Sequence, residues 1–171
     1  RVYMGIDARR DHSFRVPRPD LSQLLGTPNA CNQCHEDKDA AWAEEAMVGW
    51  YGEKSPEARG HFATAIAAGR RGDRNAEASL VALTKDAKVP AIVRATAMEL
   101  LQGYGGEAAG GALLTGLKDE NALVRVQALG GMDRLPPEVR GEVLGPLVMD
   151  PMASVRIGAA RLLAGAPGLP N

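Results

Sequence analysis

The apolar positions of this 171-residue chain follow different rhythms along its length. Across residues 1–30 no period is sustained. Pro17, Pro19 and Pro28 interrupt the run, each fixing φ and removing an N–H donor. Residues 1–27 therefore predict an extended arm laid over the rest of the chain. At Thr27-Pro28 an N-cap residue precedes a proline suited to the first helical position, which predicts a helix over residues 28–36. Residues 39–51 predict a second helix, made mostly of strong helix formers and stopped by Gly52. Within it Trp42, Ala46 and Trp50 recur every four residues as one apolar stripe, with Glu44 and Glu45 off it. Such a stripe packs on a core or a cofactor.

From about residue 57 the pattern becomes repetitive. Val93-Arg94, Val124-Arg125 and Val155-Arg156 are spaced 31 residues apart, and Ala97, Ala128, Ala159 and Leu101, Met132, Leu163 keep the same step. Upstream of each Val-Arg pair runs a shorter apolar helix ending in Asp, over residues 80–86, 113–119 and 144–150. Each unit is thus a helix, a short Asp turn and a second helix with Val-Arg near its start. Such pairs bury their apolar faces only by stacking on neighbours. The period and the Asp-turn-Val-Arg pattern resemble short HEAT repeats of the bacterial kind over roughly residues 76–165. That resemblance implies that Arg94, Arg125 and Arg156 tie to acidic or carbonyl groups of the adjoining unit and are structural. Gly105-Gly106 and Gly110-Gly111 weaken the helix between the first two units and are expected to loosen the stack there. Seven aromatics in the whole chain point to an aliphatic core rich in Ala and Leu.

Residues 31–35 read Cys31-Asn32-Gln33-Cys34-His35, the CxxCH spacing of covalent c-type haem attachment. Two thiols one turn apart can each add to a haem vinyl group, and the histidine that follows is carried beneath the ring as an iron ligand. Zinc would need four ligands, but the chain has no third cysteine and only His12 and His61 besides His35. A thioredoxin-type CxxC belongs beside a βαβ pattern, and no Val- and Ile-rich strands are found. One covalent haem c per chain is therefore expected, with Cys31 and Cys34 as attachment sites and His35 as ligand. Attachment to CxxCH takes place outside the cytoplasmic membrane, so a periplasmic or otherwise extracytoplasmic location follows, and no cysteine is left over for a disulfide. The chain starts at Arg1 with no signal-peptide core, and is expected to be a processed chain or a piece of a longer one. With 20 basic and 21 acidic residues, bulk attraction to nucleic acid is not expected, and no apolar run approaches membrane-spanning length.

The segments Asp11-His12-Ser13-Phe14-Arg15-Val16-Pro17-Arg18-Pro19-Asp20, Leu25-Gly26-Thr27-Pro28-Asn29-Ala30 leading into CxxCH, and Asp37-Lys38-Asp39-Ala40-Ala41-Trp42-Ala43 resemble the last haem module of multihaem c-type cytochromes that continue into helical repeats. The similarity spans about residues 1–60. It implies further haems upstream in a parent chain, which would be the redox partners together with a separate redox protein. It also implies that His12 serves haem ligation and makes it the first candidate for the sixth iron ligand. His61, Met47, water or an open position remain alternatives, as does ligation of a different haem by His12. Arg9, Arg10, Arg15 and Arg18 are candidates to meet haem propionates, or else a solvated basic arm. No nucleophile elbow, zinc-protease helix or phosphate loop occurs. The fold expected is all-α, a short haem-binding module over residues 1–56 followed by a HEAT-like α-solenoid over residues 57–171. Its function is expected to be electron transfer. The alternatives are a catalytic or gas-binding haem with an open distal site, and a protein-binding solenoid in which haem is a structural pin.

Overall fold

The computed structural model describes residues 17–52 and 61–164 together with the backbone of residues 2–3 and 7–8. The regular secondary structure of the described residues is helical apart from an antiparallel ribbon of two short strands, β1 (Val2–Tyr3) and β2 (Asp7–Ala8), which pairs Val2 with Ala8 and Tyr3 with Asp7. The chain divides into two compact units, Arg1–Gly60 and His61–Asn171.

In the first unit the part of the expected arm that is described beyond Pro17 forms a helix, α1 (Pro19–Leu25), and most of residues 1–16 lies outside the described residues. Local chemistry accounts for the helix. Pro19 stands where its missing N–H costs nothing, Asp20 sits in the first turn, and Gly26 ends the helix at φ 68°, donating its N–H to the Ser22 carbonyl. The helix expected over residues 28–36 is in turn reduced to one 3₁₀ turn, Cys31–Gln33. Asn29 is the reason: its Oδ1 accepts the N–H groups of Cys31 (2.8 Å) and Asn32 (3.2 Å), offering the backbone an Asx turn in place of a helix. The next helix, α2 (Ala40–Tyr51), runs much as its composition predicts. Asp39 Oδ1 accepts the Trp42 N–H at 2.8 Å as N-cap, and Gly52 stops the helix at φ 80°. α1 packs against α2.

The second unit holds α3 (Phe62–Arg70), α4 (Ala76–Lys85), α5 (Ala91–Leu101), α6 (Glu107–Gly116), α7 (Ala122–Leu129), α8 (Pro137–Leu144) and α9 (Ala153–Ala164). A 3₁₀ segment, Gly145–Met149, prolongs α8. α7 packs on α5 and α9, α6 on α4 and α7, and α3 against α4 and α5. The 31-residue register is a register of burial: Ala97, Ala128 and Ala159 are all 0 % exposed, Val93, Val124 and Val155 are buried beside them, and Leu101, Met132 and Leu163 join the same core. Small residues set the spacing. A Cβ built on Gly116 of α6 would stand 2.6 Å from Met98 Cε and 3.0 Å from Ala128 Cβ, so only glycine lets α6 approach α5 and α7 this closely.

Arginine–aspartate pairs cross-link successive units. Arg94 pairs with Asp119, and Arg125 holds Asp150 through a two-pronged fork, Nε to Oδ2 at 2.8 Å and Nη2 to Oδ1 at 2.9 Å. Arg125 Nη1 also donates to the carbonyls of Asp119 and Glu120 in its own turn, as Arg156 Nη1 does to those of Asp150 and Pro151. Asp119 and Asp150 each close their turn by accepting the N–H two residues on. Asp86 makes the same closure to Lys88 but is out of step, since the residue in register with Asp119 and Asp150 is Lys88.

Candidate functional site

The Cys31–Gln33 turn is braced from both sides. Cys34 N–H and His35 N–H both donate to the Cys31 carbonyl, at 3.2 and 3.0 Å, and the His35 carbonyl accepts the Lys38 N–H at 3.1 Å. The Asn29 side-chain amide donates to Asn32 Oδ1, and Asn32 Nδ2 donates to the Lys38 carbonyl at 2.6 Å. These two asparagines hold the loop through the backbone and through each other, and no hydrogen bond in the loop engages a cysteine side chain. Cys31 is half-buried, Cys34 is exposed, and both are free thiols.

Opposite the loop stands the apolar stripe of α2. Trp42, Ala43, Ala46 and Trp50 line a cavity of about 320 Å³ whose other wall is Ala30, Cys31, Cys34 and His35. The His35 and Trp42 rings lie with centroids 4.8 Å apart and planes tilted by 51°, so the indole fixes one face of the imidazole. Trp50 is 73 % exposed at the mouth, and its ring meets that of Tyr51 edge-on at 6.4 Å. α2 is oriented from α1 by a hydrogen bond from Gln23 Nε2 to Glu44 Oε2.

The cavity thus gathers Cys31, Cys34 and His35 from the sequence-predicted residues. His12, Arg9, Arg10 and Arg15 lie outside the described residues. Arg18 is committed: its fork grips the buried Asp20 carboxylate at 2.7–3.1 Å, and that hydrogen bond raises the guanidinium above its usual value. It closes the entry to α1, so the propionate role suggested for Arg18 is not what its side chain is placed for. His61 is the N-cap of α3 in the second unit, with Nδ1 accepting the Ala63 N–H at 3.1 Å and its ring against Phe62. Met47 is half-buried on α2 and stands outside the cavity lining. Sequence reasoning passed over Asn29 and Asn32; the signal available was an asparagine two residues before the first cysteine, a position suited to an Asx turn.

The chemistry of the donor set separates a metal site from a flat cofactor. Among the described residues no three His, Cys, Asp or Glu side chains gather closely enough to hold a single metal ion. Cys31, Cys34 and His35 share a cavity without converging on a point, which suits a group that is bonded at its edge by sulfur and at its centre by nitrogen. Among the described residues no helix is long and apolar enough to cross a membrane. Comparison with protein-family models and with curated proteins finds no match for this chain.

Proposed function

We propose that this chain is an extracytoplasmic c-type cytochrome segment that transfers single electrons. Cys31 and Cys34 would hold one haem through sulfur, His35 and His12 would supply nitrogen ligands to its iron, and a HEAT-like α-solenoid would serve as docking scaffold. A single observation carries the reading: both thiols and the imidazole of one CxxCH word line the same apolar cavity. When bound, haem supplies an iron centre that changes oxidation state by one electron without a proton or a bond being transferred.

The chain's own residues do the rest. Asn29 and Asn32 preform the loop so that attachment does not have to order it. Trp42 packs against the imidazole, and Ala43 and Ala46 supply small apolar walls that admit a flat ring. Exposed Trp50 leaves one edge of the site near solvent, which suits electron exchange with a partner.

Expression with the haem-attachment apparatus of a bacterial periplasm tests this. The purified chain should hold haem that survives denaturing extraction and show a low-spin spectrum indifferent to carbon monoxide. Cys31→Ser and Cys34→Ser should each abolish stable attachment, and His12→Ala should give a high-spin spectrum that responds to carbon monoxide. A chain purified without iron, or with haem that extracts freely, would overturn the assignment. A high-spin parent would favour the catalytic or gas-binding alternative.

A further inference from the structure

Arginine–aspartate pairing in the second unit keeps a fixed offset. Arg94 meets Asp119 and Arg125 meets Asp150, in each case 25 residues further on and in the next repeat. Arg125 shows the full arrangement. Its Nη1 donates to the carbonyls six and five residues back, Asp119 at 2.7 Å and Glu120 at 3.0 Å, and its Nε/Nη2 edge forks onto Asp150 of the repeat that follows. Arg156 repeats the first half of this. Its Nη1 donates to the carbonyls six and five residues back, Asp150 at 2.9 Å and Pro151 at 3.0 Å, so its guanidinium is seated on its turn as that of Arg125 is. The second half is missing. Nε and Nη2 of this half-buried side chain take no acceptor among the described residues, and unlike Arg94 Nε they are not shut away from solvent.

Apolar positions beside this open edge are bare in the same register. Leu129 of α7 is 4 % exposed because α9 covers it, and a Cβ on Gly158 would stand 2.7 Å from its Cδ1. One 31-residue step on, its counterpart Ala160 is exposed. Val126 of α7 packs half-buried on the core, whereas its counterpart Ile157 is 52 % exposed. Leu117 is 3 % exposed and its counterpart Val148 is 36 % exposed. The outer side of α9 thus keeps the chemistry of a face built to be covered. Its charge is one-sided, since α9 carries Arg156 and Arg161 and no carboxylate. That argues against a second copy. Two α9 faces brought together would oppose these arginines, and the other end of the array already has α3 packed on α4 and α5, with Lys88 where the aspartate belongs. Residues 165–171 hold no acidic side chain.

We propose that the outer face of α9 docks a helix pair of another protein whose connecting turn presents an aspartate. The Nε/Nη2 edge of Arg156 takes that carboxylate as the same edge of Arg125 takes Asp150, and Ile157, Ala160 and Val148 bury against the partner's apolar face. Each half of the contact needs the other: the planar fork fixes the register at which the helices meet, and the apolar positions supply the area. The surface lies wholly in the second unit, so it stands or falls independently of haem.

The probe is a fluorescein-labelled peptide of residues 134–164, a helix pair whose turn carries Asp150, titrated with the whole chain and followed by anisotropy. Saturable binding is expected. Asp150→Asn in the peptide, or Arg156→Lys in the chain, should weaken it about tenfold, the value of a hydrogen-bonded ion pair. The two changes together should cost no more than either alone, because they remove the same contact. Ile157→Ser alters an exposed side chain that the fold does not need, and should also weaken binding about tenfold through lost apolar burial, which keeps the test open should Arg156→Lys fail to fold. Absence of saturation, or equal binding by the Ile157→Ser and Arg156→Lys chains and the parent, would overturn the proposal. So would binding only by a chain ending at residue 164, which would make residues 165–171 the occupant, or a dimer of the whole chain in sedimentation that Ile157→Ser dissociates, which would make it a second copy.

Discussion

Asp150 shows how much a single side chain does in this repeat. It takes the Arg125 fork and the Met152 N–H at once, and the Arg125 hydrogen bond is the largest reason its carboxyl titrates below the usual carboxylate range, against the opposing effect of burial. A carboxyl whose folded value lies below its unfolded value stabilises the fold above the unfolded value, near about 4, and loses that contribution as pH falls through the folded value. Thermal midpoints measured from pH 6 downwards should therefore drop below about pH 4. Asp150→Asn should start lower at pH 6 and lose less on acidification. A variant with the parent's acid slope would show that Asp150 is not a main contributor. The Val-Arg register made these arginines recognisable as structural. Which carboxylate each would meet was not readable, because the Asp that closes the first turn, Asp86, stands two residues earlier in register than Asp119 and Asp150, and only the folded chain shows the consequence.

At the scale of elements, α6 was the helix most in doubt on composition, with Gly110 and Gly111 inside it and Gly105-Gly106 before it. It forms from Glu107 to Gly116, because neighbours hold it. Glu77 of α4 accepts the Ala109 N–H at 3.1 Å at the positive end of the helix, and Ala109, Ala112 and Leu113 are buried. Gly106 lets Glu77 in, since a Cβ there would stand 2.2 Å from its Oε1. Gly105, Gly110 and Gly111 are thus not equivalent to Gly106 and Gly116. Nothing lies within 4 Å of a Cβ at Gly110 or Gly111. Gly110→Ala and Gly111→Ala should each stabilise by about 0.5–1 kcal/mol through helix propensity. Gly116→Ala should destabilise by about 1–3 kcal/mol through overpacking against Met98 and Ala128. Chemical denaturation of the three variants checks the sign, and a stabilising Gly116→Ala would mean the α5–α6–α7 contact relaxes freely. The elements misjudged from sequence, residues 19–25 as part of an arm and 28–36 as a helix, turned on two local competitions. Pro19 with Gly26 bounded a short helix, and Asn29 diverted the backbone that Thr27-Pro28 would have carried into one.

For the whole molecule, the division into Arg1–Gly60 and His61–Asn171 separates the candidate cofactor chemistry from the large core. The buried core cluster runs from Ile66 to Ala159, all of it in the second unit, with Leu80 and Leu101 at 0 % exposure. Leu80→Ala should cost about 2–5 kcal/mol, read as a lower melting midpoint by far-ultraviolet circular dichroism. If haem is attached as proposed, its visible spectrum should be unchanged at temperatures below that midpoint. A spectrum that shifts with the mutation would mean that the haem environment depends on the second unit's core.

By itself the sequence determined the helical class, the 31-residue step and the CxxCH word, since periodic burial and fixed ligand spacing are properties of consecutive residues. Tertiary structure decided which polar groups meet. It placed Trp42 against His35, Gln23 against Glu44 and Asp150 in the Arg125 fork. Those pairings join residues up to 25 apart along the chain, and only the packing of helices brings such groups within hydrogen-bond reach. The CxxCH word is legible as chemistry before folding; the walls that give it a cavity are not.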